Sequence, residues 1–98
     1  MSLRYSRRAL RQLEEILAYI ATEDRRTAEK IALRFNALAG LIGRQPTIGR
    51  PTDFKNVRVF RAAPYPYLMF YHTHPISGDV TILRVRHTAR KEDWSEGR

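Results

Sequence analysis

The spacing of apolar residues changes once along this chain, from a helical step to a strand step, and the change falls between Pro46 and Asp53. Before it, Leu10, Leu13, Ile16, Leu17 and Ile20 recur every three or four residues, which puts them on one stripe of a helix over residues 8–23. Ser6 is the expected N-cap, because a hydroxyl there can accept from a first-turn N–H. Ala28, Ile31, Phe35, Leu38 and Leu41/Ile42 repeat the step in a second helix, with Asp24 or Thr27 as its cap and Gly43 as its stop. After the change, Val57 and Val59 alternate with Arg58 and Phe60. Tyr67–His72 is a nearly continuous apolar run, and Val80–His87 follows a Pro75–Asp79 turn. In that last segment Arg84 and Arg86 share one face and Leu83 and Val85 the other, so both arginines can be exposed. Leu3–Tyr5 is long enough for a short edge strand. The order predicts an α+β chain in which a short N-terminal strand and an αα-hairpin pack on a small antiparallel sheet.

Size and charge narrow what such a fold can do. A chain of 98 residues that is 43% apolar is expected to form one domain over 1–98 around one core, with little room for an enclosed cofactor pocket. There is no cysteine, which removes disulfides, thiolate nucleophiles and cysteine-based zinc sites. No cofactor and no metal is expected. His72 and His74 sit two apart without an evident third ligand. No apolar run has the length of a membrane span, so a cytoplasmic protein without a membrane partner is expected. The net charge of +8 points to a polyanionic partner, be it DNA, RNA, an acidic protein or an anionic membrane surface, and its sign alone does not choose among them.

Three stretches carry a resemblance to a known family: ALRQLEEILAYIA (9–21), VRVFRAAPYPYLMFYH (57–72) and ILRVRHTARKEDW (82–94). The third, an apolar strand running into Arg-His-Thr-Ala-Arg and then a Trp, is the most specific. Together they resemble the RelE/ParE superfamily of type II toxin–antitoxin toxins, in its ParE-like, plasmid-stabilisation branch. The resemblance implies a toxin held inactive by a cognate antitoxin, acidic and with a DNA-binding N-terminal half, in a hetero-oligomer. It implies inhibition of DNA gyrase, and hence of replication. The RelE-like alternative is a ribosome-dependent mRNA endoribonuclease.

The residues bear on that choice. RNA cleavage through the 2′-hydroxyl needs a base, an acid and cations on the crowded phosphate. For a nuclease the best set is His87 as proton carrier with Arg61 and Arg86. Flanking arginines favour a neutral His87 that merely donates to the backbone. The resemblance to the nuclease branch also lacks its C-terminal tyrosine, since Thr88 follows His87 and no tyrosine follows Tyr71. A non-enzymatic inhibitor with no catalytic residue is therefore the leading expectation. Tyr65, Tyr67, Phe70 and Tyr71 read as core aromatics, or as a stacking platform for bases.

Without catalysis, function comes from surfaces. Arg84, Arg86, Arg90, Lys91 and Trp94 are the expected contacts for target or antitoxin, with a Trp94 folded back on the sheet as the other reading. An antitoxin segment is expected to lie as a helix across the two helices or to add a strand to the sheet edge. Opposite charge would speed its arrival.

Overall fold

A computed structural model of the chain describes residues 2–89; Arg90, Lys91 and Trp94 lie outside the described residues. The elements run β1 (Leu3–Tyr5), α1 (Arg7–Glu23), α2 (Arg25–Arg44), β2 (Arg50–Pro51), β3 (Val57–Arg61), β4 (Tyr67–Thr73) and β5 (Val80–His87).

Ser6 starts α1 as its hydroxyl accepts from the Ala9 N–H at 3.0 Å. Asp24 both ends α1 and starts α2. Its N–H donates to the Ile20 carbonyl at 2.8 Å, while its carboxylate accepts from the N–H groups of Arg26 and Thr27 and from the Thr27 hydroxyl. Those bonds, the Thr27 hydroxyl foremost, hold the Asp24 carboxyl below its ordinary range. Of the two candidate caps, Asp24 caps and Thr27 braces it. The expected stop at Gly43 is a correction: α2 runs on to Arg44. The glycine serves close approach instead, because a Cβ there would lie 3.4 Å from Leu3 Cδ1 of β1.

The sheet order is β1-β5-β4-β3-β2. It is antiparallel from β2 to β5, as the tight turns require, but β1 pairs parallel to β5. The sheet is therefore mixed. Parallel pairing follows from the connection: the chain leaves β1 through the helices and three strands before β5 returns beside it. The stretch expected to be loop also contributes the two-residue β2.

Both helices lie on one face of the sheet. There Ile31, Phe35, Leu38, Ala39 and Ile42 of α2 pack with Tyr67, Met69, Tyr71, Val80, Ile82 and Val85. Register places Arg61, Leu68 and Arg86 in one row of the other face, and Val59, Phe70 and Arg84 in the next. The helices share this work unequally. α2 buries six residues and α1 only Ala9, so Leu13, Ile16, Leu17 and Ile20 of the α1 stripe stay partly covered and Leu10 is 46% exposed. No helix among the described residues is long and apolar enough to cross a membrane.

Ser6 ties these layers together, since its hydroxyl also donates to the Leu83 carbonyl at 3.1 Å. Ser6→Ala is expected to lose the cap and that bond, about 1–2 kcal/mol by urea unfolding. A loss below a few tenths would show that Ser6 does not hold α1 to β5.

Candidate functional site

The half-covered side of α1 opens into a groove of about 340 Å³. One wall is Gln12, Glu15, Ile16 and Tyr19 of α1; the other is Tyr67 of β4 with Val85, Arg86 and His87 of β5. The spacing of 12, 15, 16 and 19 sets one helical face toward the sheet, and the amphipathic pattern of α1 made this wall legible.

A bulge sets the other wall. Phe70 pairs with Arg84 and Tyr71 with Ile82, so Leu83 is an extra residue in β5. One extra residue reverses the alternation. Val80 and Ile82 face the helices before it, and Val85 and His87 after it. The bulged strand is held from α1: Gln12 Oε1 accepts from the Val85 N–H at 2.8 Å, beside the Ser6 bond to Leu83.

The bulge also corrects the expected placement of the arginines. Arg84 and Arg86 do share a face, but Arg84 is only 3% exposed, in the row with Phe70 and Val59. Arg86 is half-buried, with its guanidinium carbon 5.5 Å from the centroid of the Phe70 ring, within reach of a cation–π attraction. Leu83 and Val85, expected on a common face, lie on either side of the phase reversal.

His87 is exposed and stands edge-on to Tyr67, centroids 5.4 Å apart. Tyr67 in turn leans on Phe35 at 5.8 Å. The Nδ1 atom of His87 accepts from the Ala89 N–H at 2.9 Å, which places the proton of a neutral ring on Nε2. In that tautomer the outward nitrogen is a hydrogen-bond donor. Burial, with a smaller contribution from Tyr19, pushes the Tyr67 phenol up, so it stays protonated at neutral pH. The row of Arg61, Leu68 and Arg86 sets its two arginines about 10 Å apart on the face away from the helices, while the His87 ring is on the groove side. The three residues considered for a nuclease are not gathered on one face.

The aromatic run divides in the same way. Tyr67 and Tyr71 enter the core below the helices, Phe70 is buried on the opposite face, and Tyr65 is half-buried. Among the described residues no group of three or more His, Asp or Glu could hold a metal ion. His74 uses its Nδ1 to accept from the Ile76 and Ser77 N–H groups of the β4–β5 turn. Sequence reasoning missed Gln12, whose amide completes the edge of β5, and Tyr19, 73% exposed on the rim. Tyr19 carried a signal: it is a large apolar residue beside the stripe of α1 and off its core-facing line.

Comparison with known proteins adds three findings. Residues 3–92 match a family model described as the ParE toxin of the type II toxin–antitoxin system parDE. A curated protein of Sinorhizobium fredii, described as "Putative toxin Y4kP", is 38% identical over 94 residues, covering 96% of this chain and 93% of that one. Among solved structures, a chain of the chromosomal ParDE system of P. aeruginosa superposes with a TM-score of 0.76 at 20% identity, over 89% of this chain and 95% of that one. The isolated RelE toxin of E. coli superposes with a TM-score of 0.60 at 16% identity, over 98% and 93%. At these identities the two structures speak for the fold.

Proposed function

Since the chain belongs to the ParE toxin family of type II toxin–antitoxin systems, we propose that it acts by binding rather than by catalysis: it inhibits DNA gyrase and is neutralised by a cognate antitoxin. The observation that carries this reading is the groove between α1 and β5. It is apolar along Ile16, Val85 and Tyr67, open to a polypeptide, and furnished with donors where a nuclease would need a base. Tyr19, together with Leu10 on α1 and Leu33 on α2, supplies exposed apolar surface for an antitoxin segment lying on the hairpin. The +8 charge favours an acidic antitoxin and quick association. Such a toxin works in the cytoplasm, where its target is, and needs no cofactor.

Purified protein added to gyrase, relaxed plasmid and ATP is expected to stop supercoiling and to leave linear DNA after protein digestion. Undisturbed supercoiling at molar excess, with mRNA cut in codon phase on translating ribosomes, would establish the RelE-like ribonuclease in its place.

A further inference from the structure

Two residues lining the groove between α1 and β5 carry a formal charge, Glu15 and Arg86, and they do not neutralise each other. The Arg86 guanidinium is drawn to the far face of the sheet, its carbon 5.5 Å from the centroid of the Phe70 ring, and it donates to the His87 carbonyl at 3.2 Å. What Arg86 turns toward α1 is therefore backbone. Glu15 is on the groove side, at the spacing of Gln12, Ile16 and Tyr19. Arg11, one turn earlier on α1, is the partner that a helix-surface carboxylate ordinarily takes. That pair is not formed: among the described residues the Glu15 carboxylate has neither an ion pair nor a hydrogen bond.

The aromatic residues around that carboxylate add to its character. Tyr19 follows Glu15 by four residues, which sets the two side chains one above the other with about 5–6 Å between Cβ atoms. Its ring is 73% exposed, a plate that nothing in the fold covers. Across the groove Tyr67 is fixed between Phe35 at 5.8 Å and His87 at 5.4 Å, so its phenol is held in place. Neither the Tyr19 nor the Tyr67 hydroxyl has a hydrogen-bond partner among the described residues. The groove thus offers a carboxylate, two phenol oxygens able to accept, and an aromatic face with its negative quadrupole, in about 340 Å³. Together these suit a cation. A guanidinium matches them best: its fork of N–H groups meets a carboxylate in two parallel bonds, its plane stacks on a ring, and an N–H remains for a phenol oxygen. An ammonium is compact and strongly hydrated, and gains less from the plate.

We infer that the groove is an arginine cage, in which Glu15, Tyr19 and Tyr67 take the guanidinium of one arginine of the antitoxin segment. The inference rests on the toxin reading and names the side chain that anchors that partner. The methylene stem of the arginine lies along Ile16, while its head reaches Glu15. The net charge of +8 does not oppose this. Long-range attraction brings an acidic partner to the surface, but exposed charges farther off than a Debye length of about 8 Å are screened, and inside that distance the unpaired carboxylate decides. A segment that is acidic overall and carries one arginine among apolar residues is therefore accepted, and an uninterrupted acidic one is not.

The test uses the full chain and the synthetic peptide acetyl-Leu-Arg-Leu-amide, titrated to tens of millimolar and followed by NMR at the ring protons of Tyr19 and Tyr67. Both rings are expected to shift. The same peptide with citrulline for arginine keeps the shape of the side chain and loses its charge, and should bind about tenfold more weakly or worse. On the protein, Glu15→Gln should weaken the arginine peptide by a similar factor and leave the citrulline peptide unaffected. Tyr19→Leu should cost about threefold. Glu14→Gln removes an equal charge from an exposed residue that does not line the groove, and should leave binding unchanged. Glu15 and Tyr19 are both exposed on α1, and urea unfolding of each variant confirms that it folds. Equal binding of the arginine and citrulline peptides, equal losses for Glu15→Gln and Glu14→Gln, shifts confined to residues outside the groove, or no binding at tens of millimolar each overturns the inference. Because the titration does not involve gyrase or toxicity, its failure is distinguishable from failure of the toxin reading.

Discussion

Phe35→Ala is expected to cost about 4 kcal/mol, the largest loss of any single truncation considered for this chain. Phe35 is 1% exposed at the centre of α2, and its ring meets Tyr67 at 5.8 Å beneath the groove. Truncation removes a buried ring and leaves a cavity between α2 and β4 that neither element can close without moving. A domain of this size has only about 5–15 kcal/mol in all, so about a quarter or more of its stability would go. The midpoint of thermal unfolding should fall by about 16–30 °C. Phe35→Leu, which keeps most of the volume, should cost far less. The effect reaches the site because Phe35, Tyr67 and His87 form one aromatic succession from core to groove. Antitoxin affinity should therefore drop in Phe35→Ala even at temperatures where it remains folded. Unchanged affinity would show that the groove does not depend on the core below it.

Gly49→Ala should lower stability by about 3 kcal/mol for a different reason. Gly49 is in the passage from α2 to β3, and its N–H donates to the Tyr71 hydroxyl at 2.9 Å, while that hydroxyl donates to the Pro46 carbonyl at 2.7 Å. The Arg58 guanidinium adds a bond to the Gly49 carbonyl at 2.7 Å. A Cβ at position 49 would come within 2.7 Å of the Tyr71 oxygen and 2.8 Å of the Val59 carbonyl oxygen. The second neighbour is backbone of a central strand, so the passage itself must shift, breaking the bonds that fasten it. Tyr71→Phe deletes the same hydroxyl without a clash and should cost about 2 kcal/mol. The two losses should be strongly non-additive in the double variant, because each removes the same junction. Additive losses would mean that Tyr71 does not anchor Gly49.

Tyr71 also implies a pH dependence. Burial raises its phenol above the ordinary value of 10.0, against smaller lowering effects from the Gly49 N–H and Arg58. The unfolded chain thus releases this proton at lower pH than the folded one. The stability it contributes is whole below pH 10 and is lost as pH rises through the raised value. Tyr71→Phe should flatten that alkaline decline in a urea series; an unaltered slope would assign the decline to other groups.

The helices were legible because their signals are local. The three-and-four step of Leu10 to Ile20 and the capping chemistry of Ser6 and Asp24 act within a few residues, and the structure uses both caps and packs Leu13, Ile16, Leu17 and Ile20 against the core, leaving Leu10 exposed. The strands were legible as segments, though not in phase. A strict period of two carried through Val80–His87 sets Leu83 with Val85, whereas the bulge at Leu83 reverses the faces midway. The adjacent apolar pair Ile82-Leu83, followed by Val85, is the trace such a bulge leaves in a sequence. The parallel pairing of β1 joins residues 77 apart, Leu3 with Val80 to Tyr5 with Ile82, and no local pattern encodes it. The groove falls in the same class. It exists because α1 leaves the sheet at Ser6 and because Gln12 reaches across to Val85, and both are tertiary facts. Gly43 misled for a related reason: its lack of a side chain answers to Leu3, distant in sequence, and not to the end of its own helix.

The most direct measurement of the central claim is pulse labelling in bacteria after induction of this chain, with thymidine and leucine incorporation followed in parallel. A gyrase-directed toxin predicts that thymidine incorporation collapses first while leucine incorporation continues, and that co-expressing the antitoxin restores both. Collapse of leucine incorporation while thymidine incorporation persists would contradict the account and place the target on the ribosome.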